Sequence, residues 1–247
     1  MQREFVSHSD QFNWGIQQID KSDWVIRLDA DEYMDDTLVR SIQSSLLQNP
    51  SSITGFEFNR RIRFLGKDIT YGGIFPVKVV RMFRYGFAEV EPRLMDEHIV
   101  VQGETRCLDG ELVDDNKNSL SWWITKHNRY SSMEALEMFA ITHYDAQGTV
   151  VSGSAASRRQ LKNLYTKVPI PLRATLLFLY RYIFRLGFFD GFYGFIFHFY
   201  QGYWYRLLVD SKYKLLLESV ECDRFTMKEC ARILEVSEAV VESKLTR

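Results

Sequence analysis

Three cysteines, Cys107, Cys222 and Cys230, stand in 247 residues, with no CxxC pair and no even-numbered framework among them. That scarcity excludes a disulfide scaffold and a cysteine zinc site, and it fits a reduced, cytosolic chain. The opening MQREFVSHSDQFNWG lacks the apolar run after a basic start that marks a secretory signal. No apolar run reaches the roughly 20 residues that a spanning helix needs. There is no internal repeat and no low-complexity linker. Acidic residues are nearly absent from one stretch: residues 158–214 carry ten basic side chains against only Asp190 and Asp210, whereas residues 1–157 carry 16 basic and 23 acidic. Segregation on this scale means that the segments face different partners. Residues 221–247 hold five basic and six acidic side chains, so they lack the basic footprint of a DNA-binding element. No nucleic-acid partner is expected.

What is present suffices for a folded core, since 46% of the residues are hydrophobic and 26% charged. Residues 10–20 read as a helix with Phe12, Ile16 and Ile19 at helical spacing. Trp24-Val25-Ile26-Arg27-Leu28 reads as a buried strand that ends on Asp29-Ala30-Asp31-Glu32. A second helix is predicted over residues 36–48, with Asp35 or Asp36 as its N-cap and Asn49-Pro50 as its stop. Helix, strand and helix with carboxylates at the strand tip form an α/β signature, and ligands in such folds gather at strand C-terminal ends. From residue 53 to about 113 the pattern is β-type, punctuated by Gly66, Gly72-Gly73, Gly86 and Gly103. Helical spacing returns over residues 131–147, with Ser131 or Ser132 as the expected cap.

Between Phe178 and Tyr205 there are fifteen aromatic side chains, interleaved with arginines and bent at Gly187-Phe188-Phe189-Asp190-Gly191. Apolar faces flanked by cations, without spanning length, describe helices that lie in a membrane interface. A core stripe packed on the preceding domain is the alternative. Residues 226–245 close the chain as a short helical pair that resembles a helix-turn-helix, and on its charge a packing hairpin is the better reading.

Asp29-Ala30-Asp31 is the sharpest chemical feature. Two carboxylates two residues apart at a strand end can face one Mg²⁺ or Mn²⁺, which keeps positions free for phosphate oxygens and neutralises a departing diphosphate. An acidic turn with no ligand is the plain alternative, because the tripeptide alone is common. A nucleophilic aspartate of the phosphatase kind would want a small hydroxyl residue soon after, and Glu32-Tyr33 stands there instead.

In order along the chain, SDWVIRLDADEYMDDTL, FLGKDITYGGIFPVKVVRMFR, EPRLMDEHIVVQGE, KHNRYSSMEA and FFDGFYGFIFHFYQGYWYRLLVDSK resemble segments of bacterial family 2 glycosyltransferases. These are inverting enzymes of the GT-A fold, here of the type that builds lipopolysaccharide core or exopolysaccharide. The resemblance covers roughly residues 10–215. It implies a partial GT-A sheet over residues 1–157, membrane-docking helices over 158–220 and a helical tail over 221–247. It implies metal held by Asp29 and Asp31, and a catalytic base within Met95-Asp96-Glu97-His98, with Glu97 favoured over Asp96. Lys126 and Arg129 are then candidates to receive diphosphate, as are Arg60 and Arg61, although surface charge is the simpler reading of that pair. His98, His127 and His143 are candidates for a third metal ligand or a phosphate contact.

The implied partners are a nucleotide-sugar donor, a lipid-linked or lipopolysaccharide acceptor and the cytoplasmic face of the cell membrane, held peripherally. Family members begin with an apolar strand and an acidic turn that hold uracil and ribose, and no such pair precedes Asp29 here. A chain truncated at its N-terminus is therefore expected. The rival expectation is a catalytically dead, membrane-binding remnant or partner subunit.

Overall fold

The structure, a computed structural model, describes residues 7–19, 23–48, 51–91, 97–143 and 168–246. Two compact units divide the chain: Met1–Ser119 with Arg185–Phe195, and Leu120–Phe184 with Ile196–Arg247.

In the first unit, helix α1 (His8–Gln17) is capped by Ser7, whose Oγ accepts from the Asp10 amide at 3.1 Å. Strand β1 (Trp24–Ile26) leads through residues 27–31 to β2 (Glu32–Met34) and α2 (Asp36–Gln48). Then come β3 (Ile53–Phe64), β4 (Lys67–Ile69) and β5 (Val77–Arg84). A small hairpin, β6 (Ala88–Val90) and β7 (Ile99–Val101), precedes the long β8 (Glu104–Asp115). The main sheet runs β1-β5-β3-β8-β2, with β4 beside β3. Strands β3 and β8 are parallel and the remaining pairs are antiparallel.

The α/β expectation therefore holds in its general form, as a mixed, curled sheet with flanking helices. The curl has a simple cause in the chain. Strands β1 and β2 are the two ends of the strand order, yet only residues 27–31 join them. A flat sheet of that order would set its end strands about 19 Å apart, nearly the full reach of so short a connection. Residue 32 is thus the start of a strand, where the sequence pattern shows only the end of one.

One face of the sheet packs under α2. Leu38 and Ile42 are buried there with Ile53, Phe56, Phe58, Met82, Leu108 and Leu112. The other face buries Phe83, Val90 and Ile99 against Phe12 and Ile16 of α1. Strand β5 serves both faces, but not by simple alternation. Val79 and Met82 share the α2 side while Val80 and Phe83 share the other. The pairing with β3 explains this: Phe56 sits opposite Met82 and Glu57 opposite Val80, so Arg81 is the extra residue of a bulge. Bulges turn a side chain out of its regular direction, and here the redirected one is an arginine.

Asp35, not Asp36, caps α2. Its Oδ1 accepts from the Leu38 amide at 2.7 Å and from the Glu111 amide of β8 at 3.1 Å. That closeness between helix start and strand requires Gly110, which adopts φ +99°. A Cβ there would lie 2.2 Å from the Leu38 nitrogen.

The helices of the second unit start with α3 (Leu120–His143). Helix α4 (Ile170–Leu179) continues into a π-helical turn, Tyr180–Phe184. A 3-10 turn, Gly187–Asp190, and the start of α5 (Gly191–His198) belong to the first unit; the end of α5 and a second π-helical turn, Phe199–Trp204, return to the second. Helices α6 (Tyr205–Glu221), α7 (Met227–Leu234) and α8 (Glu238–Leu245) complete the chain. Helix α3 starts eleven residues before the expected Ser131 cap. Ser131 and Ser132 are buried mid-helix, where both hydroxyls accept from Lys212 Nζ of α6, at 2.9 and 2.8 Å. A hydroxyl that looks like a cap in sequence is here an acceptor for a half-buried cation. The tail packs as a hairpin: Cys230, Leu234, Val241 and Leu245 are buried, and Lys244 reaches Glu137 of α3 at 3.5 Å. Among the described residues no helix is long and apolar enough to cross a membrane.

Gly110→Ala should destabilise the protein by clearly more than the ~1 kcal/mol typical of a point substitution, because it adds backbone strain and a clash with α2. Chemical denaturation of the two proteins checks this. A variant as stable as the parent would show that α2 does not depend on Gly110.

Candidate functional site

The carboxylates singled out in the sequence lie where the sheet closes on itself. Beyond β1 the Arg27 amide still donates to the Arg81 carbonyl at 2.8 Å, so β1 is held on the bulge of β5. The loop then turns back. The Glu32 amide donates to the Asp29 carbonyl at 3.0 Å, and the Asp29 amide donates to Glu32 Oε2 at 3.1 Å. On its far side the Asp115 amide of β8 donates to the Asp31 carbonyl at 2.8 Å. The loop is thus pinned by both ends of the strand order.

Arg81 occupies the centre. Its Nη2 donates to Glu32 Oε1 at 2.5 Å and to Asp29 Oδ2 at 3.1 Å. The Glu32 and Arg81 side chains are almost wholly buried, whereas Asp29 keeps about a third of its surface. Arg27 is the second cation: Nε lies 3.4 Å from Asp29 Oδ1 and Nη2 lies 3.7 Å from Glu97 Oε1, with the guanidinium 3.8 Å over the Phe12 ring. Asp29 and Glu97, far apart in sequence, therefore meet around one guanidinium. Sequence reasoning named Asp29 and Glu97 but missed Arg27, Arg81 and Glu32. Arg81 left no signal, since only the strand register shows it to be the bulged residue.

Asp31 points elsewhere. Its Oδ2 accepts from Asn116 Nδ2 at 3.2 Å. Asn116 also lines a depression of about 370 Å³ with Leu65, Gly66, Asp115, Lys117 and Asn118. Asp96, the other candidate base, lies outside the described residues. Among the described residues no three His, Cys, Asp or Glu side chains gather as a metal cage. Formal charge still leaves room for a divalent ion: Asp29, Asp31, Glu32 and Glu97 stand against Arg27 and Arg81, an excess of two negative charges. An ion of the Mg²⁺ kind takes one or two carboxylates and completes its shell with water and phosphate oxygens; Asp29 and Asp31 are the carboxylates that would be offered to it, and they are held by different partners.

The remaining candidates divide between the units. His98, in the first, sets Nδ1 3.3 Å from Glu91 Oε1. Arg61 is committed to Glu111 and to Asp68, at 3.0 Å from the latter, and those carboxylates raise its pKa. Arg61 is thus held in ion pairs within the sheet unit. In the second unit Lys126 Nζ stands 4.8 Å over the Trp122 ring and 5.5 Å over Tyr130, while Arg129 is exposed. His143 stacks on Phe139. His127 stacks on Trp123 with centroids 3.5 Å apart, and its Nδ1 donates to the Trp123 carbonyl at 2.9 Å. Burial, aided by the charge of Lys126, lowers its pKa to about 4, so the ring is neutral at pH 7.

Compared with known proteins, the chain matches no protein-family model and no curated protein.

Two outcomes follow. Arg81→Met leaves Glu32 buried without its cation and should cost roughly 3–5 kcal/mol, whereas Arg81→Met with Glu32→Leu should recover most of that loss. Equal stability of the single and double variants in urea titrations would show that the pair does not close the sheet. For His127, the folded pKa of about 4 lies below the ordinary 6.5. The folded state therefore binds fewer protons between those values, and stability falls as pH drops from about 6.5 to about 4. His127→Phe should flatten that part of the pH–stability curve. An NMR titration that placed the His127 midpoint near 6.5 would remove the effect.

Proposed function

We propose that the chain is a metal-dependent, inverting glycosyltransferase of GT-A type. On this reading it transfers a sugar from a nucleotide diphosphate to a lipid-linked or lipopolysaccharide acceptor, while held peripherally on the inner face of the cell membrane. The observation that carries the reading is the meeting of Asp29 and Glu97 around Arg27 beside the loop that follows β1. Transfer with inversion needs two carboxylate roles in one place. Asp29 and Asp31 would hold Mg²⁺ or Mn²⁺, which would supply positive charge to balance a departing diphosphate. Glu97, or Asp96 beside it, takes the proton from the acceptor hydroxyl as that oxygen attacks the anomeric carbon. Arg27 holds Glu97 in place until an acceptor arrives. Lys126 and Arg129 are the cations offered to phosphate oxygens, Lys126 as a point charge set over two rings.

A second reading, a membrane-binding relative without catalysis, is favoured by one specific observation. Arg81 and Arg27 already satisfy both oxygens of Asp29, so the strand end is a closed ion-pair network without any metal.

Calorimetry with Mn²⁺ and a nucleoside diphosphate separates the two. Under the transferase reading the diphosphate binds only with metal, and Asp29→Asn with Asp31→Asn abolishes binding. Glu97→Gln should keep donor affinity and lower turnover by about 10²- to 10⁴-fold, because a base acts only in the transition state. Metal-independent nucleotide binding that survives the double change, or turnover untouched by Glu97→Gln and by Asp96→Asn, would sink the assignment.

A further inference from the structure

We infer that the bend at residues 186–192 is a lipid-inserting wedge, fixed rigidly to the sheet unit by Asp190. This deepens the peripheral-membrane part of the function proposed above and is independent of the transfer chemistry. The bend belongs to the first unit, and its attachment there is polar and complete. Asp190 Oδ2 accepts from the Thr70 and Tyr71 amides at 3.1 and 2.9 Å, and Oδ1 accepts from Thr70 Oγ1 at 2.8 Å. The Gly72 amide donates to the Arg185 carbonyl at 2.8 Å. Four hydrogen bonds thus hold one short turn against the segment after β4, and the only carboxylate of the bend is turned inward.

With its polar groups so used, the bend presents carbon outward. Phe189 and Phe192 are 61% and 70% exposed, and Leu186, Phe188, Phe195 and Tyr71 are exposed as well. A patch of this kind on one short turn needs a cover. Charge identifies it. Residues 158–214 carry ten basic side chains and two acidic ones. Both acids face inward, Asp190 as above and Asp210 to Arg173 at 2.6 Å. The net charge of the segment in sequence is positive, and Arg185 is exposed beside the bend, which opposes a second copy of the same segment and attracts anionic headgroups. In the other unit, α4 and its π-helical turn independently expose Leu172, Leu176, Tyr180 and Ile183. These residues follow helical spacing, the pattern of a helix lying in an interface. The occupant is the interfacial region of an anionic bilayer: phenylalanines sit among the acyl chains and cations stay at headgroup level.

The test uses the whole chain and vesicles of phosphatidylcholine with or without an equal share of phosphatidylglycerol. Phe189→Ser with Phe192→Ser changes only exposed side chains, so the fold and the urea midpoint should be kept. Loss of that much apolar burial should lower partition onto both vesicle types by about tenfold or more. Phe192→Trp should add emission that shifts to the blue on vesicles and is quenched by bromine carried on the acyl chains. Partition unchanged by the double serine variant, or added emission that neither shifts nor is quenched, would overturn the wedge. So would a dimer in sedimentation that the serine variant splits while vesicles bind neither protein, because the cover would then be a second copy. Asp29→Asn should leave partition unchanged, so a failure of the transferase reading and a failure of the wedge give separate results.

Discussion

Arg81 is the residue on which the first unit turns. Its guanidinium comes from a bulge in β5 and bridges Glu32 at the start of β2 and Asp29 in the loop before it. Strands β1 and β2 are the two ends of the sheet order, so this one cation joins margins that strand pairing leaves apart. The desolvation of two buried ionic groups is repaid only when geometry and further hydrogen bonds are good. Glu32 meets both conditions, because its Oε2 also accepts from the Asp29 amide, whereas the Arg81 guanidinium keeps a buried Nε without a hydrogen-bond partner among the described residues. The short connection sets the curl, the backbone bonds set the loop, and the ion pair fastens the two. The direction of the Asp29 carboxylate is a consequence of the two.

The same constraint bears on chemistry. An aspartate that shares an arginine with a buried glutamate is positioned but not consumed, since it alone of the three keeps substantial exposure. Glu97 reaches the cluster only through Arg27, at a looser 3.7 Å. On the transferase reading proposed above, such a contact is easily exchanged for a hydroxyl, and a base that must leave one partner to meet another needs that looseness. Tight pairing on Arg81 and loose pairing on Arg27 divide the site into a fixed part and a responsive part.

Much of this was legible in the residues, and the failures have physical causes. Periodicity located α1 and α2 to within a few residues, because each presents an apolar face to a core. A cap at Asp35 or Asp36 was readable from their place before an amphipathic run, and only the hydrogen bonds select Asp35. Helix α3 was started too late, since Ser131 and Ser132 have the chemistry of a cap and nothing local says that Lys212, far along the chain, will use them. Strand β2 was missed because three residues carry no period. The pairing of Arg81 with Glu32 depends on strand order and on a bulge, two properties of the sheet and not of any segment. Carboxylates could be nominated because their chemistry is written in their type. Their arginine partners could not be, because arginine is common and only register selects one.

The basic, aromatic segment shows how composition overstates one force and understates another. Ten cations over residues 158–214 suggest attraction to anionic lipid at about 1 kcal/mol each near the surface. Several of them are engaged within the second unit: Arg173 with Asp210, Arg206 with Glu134 at 2.5 Å, Lys212 with Asn128, Ser131 and Ser132, and Lys214 with Glu218. Burial also lowers the pKa of Lys212, in keeping with a structural post. The Coulombic share is therefore smaller than the count implies. The apolar share is larger than a packed core stripe would allow, because the bend and the outer row of α4 leave large side chains in water. Burying one phenylalanine contributes about 1.5–3 kcal/mol, so a few inserted rings outweigh the remaining charges. Attachment of this kind is steered by charge and held by carbon. Salt should weaken the approach to the surface more than it weakens the bound state, since screening acts on exposed charges and leaves buried apolar area untouched.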